Sequence, residues 1–324
     1  MPRAEDPEFY NTPEKAYVRD RWLFYTQSRA ALLQASTIKY LTLPGVAYLD
    51  VRLLKSNGLI SMLSPTQYNP QGLTFCESNK ERFAKIRERL TLANSVFLKY
   101  EQFVGADQPI NITAPARKSF PYDVINLDFQ GPLLEPEGLL ASVSKTILIQ
   151  SQLGRSFTLF LTIKAVREFE QADKIAELET GLTSNLQNPE TSSFRDEFSV
   201  QYPNFPSTPL EFHEFLAVAL PKFLVKYGTD KSFDTSCRER YTYVGSGHTT
   251  RMLSLIMTYE YKGMIGLGDP PAHLTLRNSY PGRVRGILEH SCTDINQLLE
   301  SSPEEKTRCF ATVEANRIPE PIPE

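Results

Sequence analysis

The sequence predicts an α/β protein with a doubly wound, mostly parallel seven-stranded sheet that ends in an antiparallel hairpin. Strand-like and helical segments alternate through the first half of the chain, which is typical of right-handed crossovers in a parallel sheet. The strands are continuously apolar, as in SFTLFLTIKA (156–165), and this indicates a sheet covered on both faces. Two late strands within 239–261, joined by Gly-Ser-Gly-His, predict the closing hairpin.

Apolar spacing and turn residues place the individual elements. The predicted strands of the first half are 37–45, 72–79, 95–103, 122–129 and 156–165. The predicted helices between and around them are 14–35, 46–60, 80–93 and 137–153. Residues 209–230 predict a further long helix, with Pro209 suited to its first turn and Pro221 expected to kink or divide it.

The chain length of 324 residues favours one main domain of roughly 200–250 residues with appendages. A polar, broken stretch after 165 predicts an insertion or lid with one early helical piece, and the tail predicts one or two short helices. The predicted parts are an N-terminal helical segment 1–35, a cofactor-binding Rossmann-like half 36–165, an insertion 166–208, a helix and hairpin completing the sheet 209–262, and a small C-terminal extension 263–324.

Composition narrows the function classes. A net charge of −3 does not favour nucleic acid as a partner, although a local basic patch is compatible with it. The four cysteines are scattered without a C-x-x-C pair, and the histidines lack metal-ligand spacing, so we expect no disulfide framework and no metal site. The N-terminus lacks a secretory core and no stretch reaches about 18 apolar residues, so we expect a cytoplasmic protein without a membrane span.

Five alternating strands, a late helix and a final hairpin form an order of elements that resembles the class I S-adenosylmethionine-dependent methyltransferase fold. The resemblance covers roughly residues 36–165 and 209–262 and implies S-adenosylmethionine as cofactor. In an open α/β sheet the ligand lies beyond the carboxyl ends of the strands. The resemblance therefore directs attention to three strand ends.

The first strand end is YLTLPG (40–45). Gly45 lets the backbone approach a ligand closely, and Thr42 and Pro44 lie beside it. The resemblance implies a cofactor loop here, with one glycine where the family usually has several. The alternative is an ordinary strand-to-helix turn.

The second strand end is Glu77 in LTFCESN (73–79), followed by Ser78. A carboxylate at this place accepts both hydroxyls of a ribose in related dinucleotide folds. The alternative is that the segment caps the next helix. Near the third strand, Glu101 and Asp107 lie where family members often contact adenine; the alternative is a pair of solvated loop acids.

The third strand end is NLDFQGP (126–132), with Asn126, Asp128 and Phe129. It is similar to the D-x-D-P-F-G pattern of the tRNA guanine-N2 dimethyltransferase family, with no proline between Asp128 and Phe129. The resemblance implies a hydrogen-bond acceptor for the target amine and an aromatic ring that stacks on a flat substrate. The alternative is that Asp128 caps the following loop and Phe129 belongs to the core.

Beyond the main fold, TLRNSYPGRVRG (275–286) places Arg277 and Arg283 around Tyr280, a mixture typical of nucleic-acid contacts. We interpret these three residues as a candidate substrate arm.

Two function classes follow. One is a methyltransferase acting on an amine of a nucleic-acid base; no triad or metal is needed, because the sulfonium methyl is already activated. The other is an inactive methyltransferase-like protein that binds a protein partner within a larger bacterial or phage-related assembly. Nicotinamide binding is disfavoured, because no G-x-G-x-x-G is present.

Overall fold

A computed structural model describes residues 11–107, 112–129, 131, 133, 134, 138–263 and 272–317. Within these residues the protein is α/β, with a large mixed sheet of eight strands, a two-stranded ribbon and thirteen α-helices. The strands are β1 Tyr40–Thr42, β2 Met62–Ser64, β3 Gln67–Tyr68, β4 Leu73–Cys76, β5 Asn94–Val96, β6 Val124–Asp128, β7 Phe157–Lys164, β8 Phe233–Val244, β9 Arg251–Tyr261 and β10 Thr293–Asp294. The helices are α1 Pro13–Leu32, α2 Leu49–Ser56, α3 Lys80–Arg89, α4 Tyr100–Val104, α5 Ala114–Ser119, α6 Leu139–Gln152, α7 Ala172–Gln187, α8 Ser192–Gln201, α9 Phe212–Asp230, α10 Ala272–Asn278, α11 Tyr280–Gly286, α12 Ile295–Ser301 and α13 Pro303–Asn316.

The main sheet has the strand order β10-β8-β9-β7-β6-β1-β4-β5. Strands β5, β4, β1, β6 and β7 are parallel, and β9 runs antiparallel to both β7 and β8. Successive strands therefore leave β1 first toward β4 and β5, and then continue on its other side from β6. Because the carboxyl ends of β1, β4 and β6 lie at one edge of the sheet, the crevice at this reversal of strand order is the expected ligand position.

The N-terminal helix α1 crosses one face of the sheet from this edge to the opposite one. Its first turn contacts the end of β6, through Lys15 and Asp128. Halfway along, Trp22 stacks on Phe160 of β7 with ring centroids 5.7 Å apart. Near its end, Arg29 pairs with Glu260. The helix thus fastens the strand-tip edge to the rest of the sheet.

Helix α9 packs on the sheet as a single helix and contains Pro221 within it, where the sequence suggested a kink or a break. Proline lacks the N–H that would bond to the carbonyl four residues earlier. That carbonyl, on Ala217, accepts a hydrogen bond from Arg240 Nη1 of β8 at 3.0 Å instead. The replacement donor satisfies the buried carbonyl that the proline leaves behind.

Three local differences from the sequence expectations have physical causes. The sheet carries eight strands rather than seven, because β10 adds a short parallel strand to β8. The predicted strand 95–103 ends at Val96, since Tyr100, Phe103 and Val104 have the i, i+3, i+4 spacing of α4 and all three are buried. The ribbon of β2 and β3 lies in a stretch for which we predicted no strand.

The segments outside the predicted core of the fold are mainly helical, apart from the short strand β10. The predicted insertion 166–208 contains α7 and α8, and not only one early helix. The predicted extension 263–324 contains α10 to α13, more helices than the one or two expected. Residues 1–10, 137, 264–271 and 318–324 of the predicted elements lie outside the described residues. Among the described helices, none combines the length and apolar character needed to cross a membrane.

Candidate functional site

A cleft of 230 Å³ lies at the carboxyl ends of β1, β4 and β6. Six residues that the sequence singled out line it: Pro44, Glu77, Ser78, Glu101, Asp128 and Phe129. They come from four separate segments of the chain. The parallel register of the three strands brings their ends together, and α4 supplies Glu101 from the next loop.

Glu77 lines the cleft directly after β4. Its Oε1 accepts a hydrogen bond from the backbone N–H of Asn79 at 2.7 Å, and its Oε2 lies 3.7 Å from Arg82 Nε. Asn79 is itself the N-cap of α3, since its side chain accepts from the Arg82 backbone N–H. The carboxylate thus fixes the β4–α3 turn through one oxygen. Its other oxygen is 3.7 Å from a cation, beyond hydrogen-bond distance.

The two acids near the third strand lie in different places. Glu101 is in the first turn of α4, lines the cleft, and is 3.9 Å from Lys99. Asp107 is exposed beyond the end of α4 and does not line the cleft. Its charge acts on Lys145: burial lowers the pKa of that lysine, and Asp107 opposes the shift.

Asp128 ends β6 and carries an ion pair across to the N-terminal helix. Its Oδ2 is 3.0 Å from Lys15 Nζ, and the two side chains are 22% and 13% exposed. One turn along the helix lies the buried Arg19. Burial lowers the pKa of Arg19, and the charges of Asp128 and Asp50 oppose the shift. The strand-tip carboxylate is therefore already in contact with a cation of this chain.

A buried hydrogen-bond network lies behind the first strand end. Asp50 Oδ2 accepts from Tyr40 Oη at 2.8 Å, from Thr42 Oγ1 at 2.7 Å and from Asn126 Nδ2 at 3.1 Å. Thr42 is fully buried, so its hydroxyl serves this network and does not face the cleft. The sequence pattern does not single out Asp50, because it lies in α2 and not at the strand end. Only the fold shows that the first turn of α2 returns its carboxylate to β1.

Gly45 and Asn126 meet in a second, smaller cavity of 30 Å³, which Asp128 also lines. Asn126 is 1% exposed, and its Oδ1 has no hydrogen-bond partner among the described residues. Buried polar atoms are usually satisfied, so an unpaired oxygen at a strand tip marks a polar site. The cavity is large enough for a water molecule.

Phe129 is 6% exposed and packs edge-on against Tyr100, with ring centroids 6.0 Å apart. It belongs to the main hydrophobic core and also forms a wall of the cleft. The ring therefore packs mainly in the core and borders the cleft on one side. Cys76, at the end of β4, lines the same cleft, and burial raises the pKa of its thiol far above neutrality, so the thiol stays protonated.

The proposed substrate arm lies elsewhere. Arg283 pairs with Asp234 near the amino end of β8, Arg277 lies 3.9 Å from Asp230, and the Tyr280 hydroxyl accepts from Asn185. Strand β8 runs parallel to β7, so its amino end is at the edge opposite the cleft. The structure does not bring these three residues together with the strand tips. Within the described residues, no group of three or more potential metal ligands is found.

The model of the PP_RS20740-like family matches residues 10–313, nearly the whole chain. No curated protein and no solved structure matches the chain.

Proposed function

The chain belongs to the PP_RS20740-like family, and we propose that it is an S-adenosylmethionine-dependent methyltransferase whose cofactor lies in the strand-tip cleft. The observation that carries the proposal is the convergence of Glu77, Glu101 and Asp128 on that one cleft. They were chosen from sequence positions far apart. Their meeting at the point where the strand order of a parallel sheet reverses, the usual ligand position, supports a binding site there.

The sheet supports the same proposal. Strand β9 is the last long strand among the described residues, and it is inserted antiparallel between β7 and β8. This is the hairpin ending that the methyltransferase family is expected to have and that plain Rossmann dehydrogenases lack. The finer fold assignment, a seven-stranded methyltransferase sheet extended by β10, is part of the proposal.

The residues of the cleft fit the cofactor in their chemistry. Carboxylates at Glu77 and Glu101 are acceptors for hydroxyl and amino groups, and Leu43, Leu98 and Tyr100 supply apolar walls. The cleft volume of 230 Å³ is below the range of about 300–1,000 Å³ typical of small-molecule sites. A molecule of the cofactor's size would therefore extend beyond the cleft.

The chain's own residues would bind, orient and exclude water. S-adenosylmethionine supplies an activated methyl group, so the acceptor mainly needs alignment. Glu77 would accept hydrogen bonds from a diol through the oxygen that lies 3.7 Å from Arg82. Asp128 would accept a hydrogen bond from the acceptor amine after its ion pair with Lys15 is broken. Phe129 and Tyr100 would keep water from the apolar wall.

We propose an amine of a nucleic-acid base as the methyl acceptor, on the similarity of NLDF (126–129) to base-modifying methyltransferases. The four free cysteines suit a reducing cytoplasm, which we propose as the compartment. The candidate substrate arm does not support this proposal, because its arginines are paired with Asp230 and Asp234 at the sheet edge opposite the cleft.

One observation favours a second candidate, an inactive subunit that binds a protein partner. Lys15 is paired with Asp128, Thr42 is committed to Asp50, and only Gly45 provides backbone access at the first strand end. In that case the strand-tip groups would hold the fold together and leave nothing to bind a cofactor.

Transfer of a labelled methyl group distinguishes the two. The chain is incubated with S-adenosylmethionine labelled in its methyl group and with separate pools of RNA, DNA and protein. We expect label in a nucleic-acid pool, loss of transfer in Asp128→Asn, and retention in Asp107→Asn, which makes the same change at an exposed acid away from the cleft. Absence of label in every pool would favour the inactive subunit.

A further inference from the structure

A cavity of 410 Å³, larger than the strand-tip cleft, lies along the outer edge of β8. Helix α1 forms one wall with Tyr17 and Arg21, and the end of α11 with the segment before β10 forms the other. Strands β6 and β8 are three positions apart in the sheet, or about 14 Å at the usual spacing. The cavity is therefore separate from the cleft.

The edge of β8 is open where the cavity lies. Strand β10 pairs with β8 only at Tyr241 and Thr242. In the part of the chain that the structure describes, no other strand pairs with this side of β8. The register with β9 also jumps between Cys237 and Glu239, which leaves Arg238 as an extra residue in a bulge. Bulges re-aim side chains, often beside functional sites.

The charges of the cavity do not cancel. Glu239 is the single acid among the lining residues, and it is engaged by Arg21, with Nε at 3.0 Å, and by the Tyr241 hydroxyl. Arg238 and Arg240 line the cavity as well, and neither has a carboxylate partner among the described residues; Arg238 Nε donates to the neutral hydroxyl of Thr258 at 3.0 Å. Two positive charges thus remain uncompensated in a protein whose net charge is −3.

Arg240 is the more informative of the two because it is only 3% exposed. Its guanidinium donates to the Ala217 and His290 carbonyls at 3.0 and 2.6 Å and lies 3.5 Å from Gln201 Oε1. All three acceptors are neutral. A buried charge is normally paired, because desolvation without a counter-charge is costly. The bond to Ala217 explains why an arginine donor is useful there, but it leaves the positive charge unbalanced.

We propose that this cavity binds a small molecule carrying a phosphate group, which Arg238 and Arg240 hold together with the hydroxyls of Ser291 and Thr293. Two uncompensated arginines match the roughly two negative charges of a phosphate monoester at neutral pH. Arginine is also the side chain best suited to phosphate, through paired N–H donors. The site does not depend on the strand-tip cleft or on the proposed methyl transfer.

Isothermal titration of the full chain with inorganic phosphate and pyrophosphate tests the proposal. We expect saturable binding, weakened about tenfold or more in Arg238→Gln, since each charge-assisted contact to phosphate is strong. Arg195→Gln is the matched control, because Arg195 is an exposed arginine of α8 that does not line the cavity. Glu77→Ala should bind pyrophosphate like the wild type, which separates this site from the cleft.

Arg240→Lys is the second variant, and it retains the positive charge while losing the planar guanidinium with its paired N–H donors. We expect weakened pyrophosphate binding in a variant whose circular dichroism spectrum is unchanged. Should Arg240→Lys fail to fold, the exposed Arg238 still decides the matter. The proposal is overturned by absence of saturable binding up to about 10 mM, a level that corresponds to negligible affinity. It is also overturned by equal affinity in Arg238→Gln and wild type, or by binding of a short oligonucleotide but not of pyrophosphate.

Discussion

The ammonium of Lys15 lies 3.0 Å from Oδ2 of Asp128, 113 residues further along the chain. The contact joins the first turn of the N-terminal helix to the tip of the strand that we propose positions the methyl acceptor. Nothing in the local sequence around either residue indicates this pairing. The pairing exists because α1 lies across the face of the sheet and starts at the strand-tip edge.

Breaking this pair should destabilise the protein modestly. Both side chains are mostly buried, so we expect Lys15→Met to lower the free energy of unfolding by about 1–2 kcal/mol, between the values for exposed and buried pairs. Urea unfolding of Lys15→Met, Asp128→Asn and the double variant measures the coupling, which we expect to be on the order of 1 kcal/mol. If the changes in unfolding free energy of the two single variants simply added in the double variant, the contact would contribute nothing to stability.

Glu77 should matter to cofactor affinity. We expect Glu77→Ala to raise the Kd for S-adenosylmethionine about tenfold or more, because charge-assisted hydrogen bonds to a ligand are strong. Glu81→Ala is the control, since Glu81 is an exposed acid in the first turn of the next helix. Equal affinities of the two variants would remove Glu77 from the site and leave it as a support of the β4–α3 turn.

Lys222 of α9 should give the protein a pH-dependent stability. It is 8% exposed, and burial, assisted by the charge of Lys226, lowers its pKa to about 8 from 10.5. Between these values the unfolded chain binds more protons than the folded one, so this lysine makes stability rise with pH. The free-energy cost of burying the charged lysine applies in full below pH 8. It falls toward zero as the pH approaches 10.5.

Replacing this lysine by an apolar side chain should therefore stabilise the protein most at neutral pH. We expect Lys222→Met to raise the free energy of unfolding by about 2–3 kcal/mol at pH 7, with the gain shrinking between pH 8 and 10.5. Lys306→Met, at an exposed position of α13, should change it by less than about 0.5 kcal/mol at each pH. A gain that is constant with pH would contradict a lowered pKa.

Gly228 should resist substitution. A Cβ built at this position of α9 would lie 2.3 Å from Thr235 Oγ1 and 2.8 Å from the Tyr259 ring. Gly228→Ala gains up to about 1 kcal/mol of helix propensity but forces buried groups apart, which typically costs about 1–3 kcal/mol. We therefore expect a lower melting temperature.

Gly282 of α11 is the matched control, because a Cβ there meets nothing within 4 Å. Gly282→Ala should be neutral or stabilising by roughly 0.5–1 kcal/mol. If the two alanine variants melted alike, the close approach of α9 to the sheet would be wrong.

The parts of the fold that follow from local pattern could be predicted from the sequence. The apolar runs that contain β6 and β7 and the hairpin signal at Gly245 located most of the sheet and its ending. Glu77 and Asp128 could be chosen because the carboxyl ends of parallel strands meet at one edge.

The remaining features depend on contacts between distant segments, which periodicity does not reveal. The carboxylate of Asp50 reaches β1 only through the turn into α2, and Lys15 reaches Asp128 only because α1 covers the sheet. Likewise, the Ala217 carbonyl, which Pro221 leaves without its helical donor, accepts a hydrogen bond from Arg240 of β8. Arg283 resembled a nucleic-acid contact from its neighbours, yet its partner is Asp234.

Isothermal titration of the wild-type chain with S-adenosylmethionine and S-adenosylhomocysteine tests the central claim most directly. We predict that both ligands bind at one site and compete with each other, with a Kd on the order of 1–100 μM. No saturable binding of either ligand up to about 1 mM, an affinity too weak for a cofactor, would contradict the account. The strand-tip cleft would then belong to a methyltransferase-like binding protein, and the ion pair of Lys15 with Asp128 would be part of its fold.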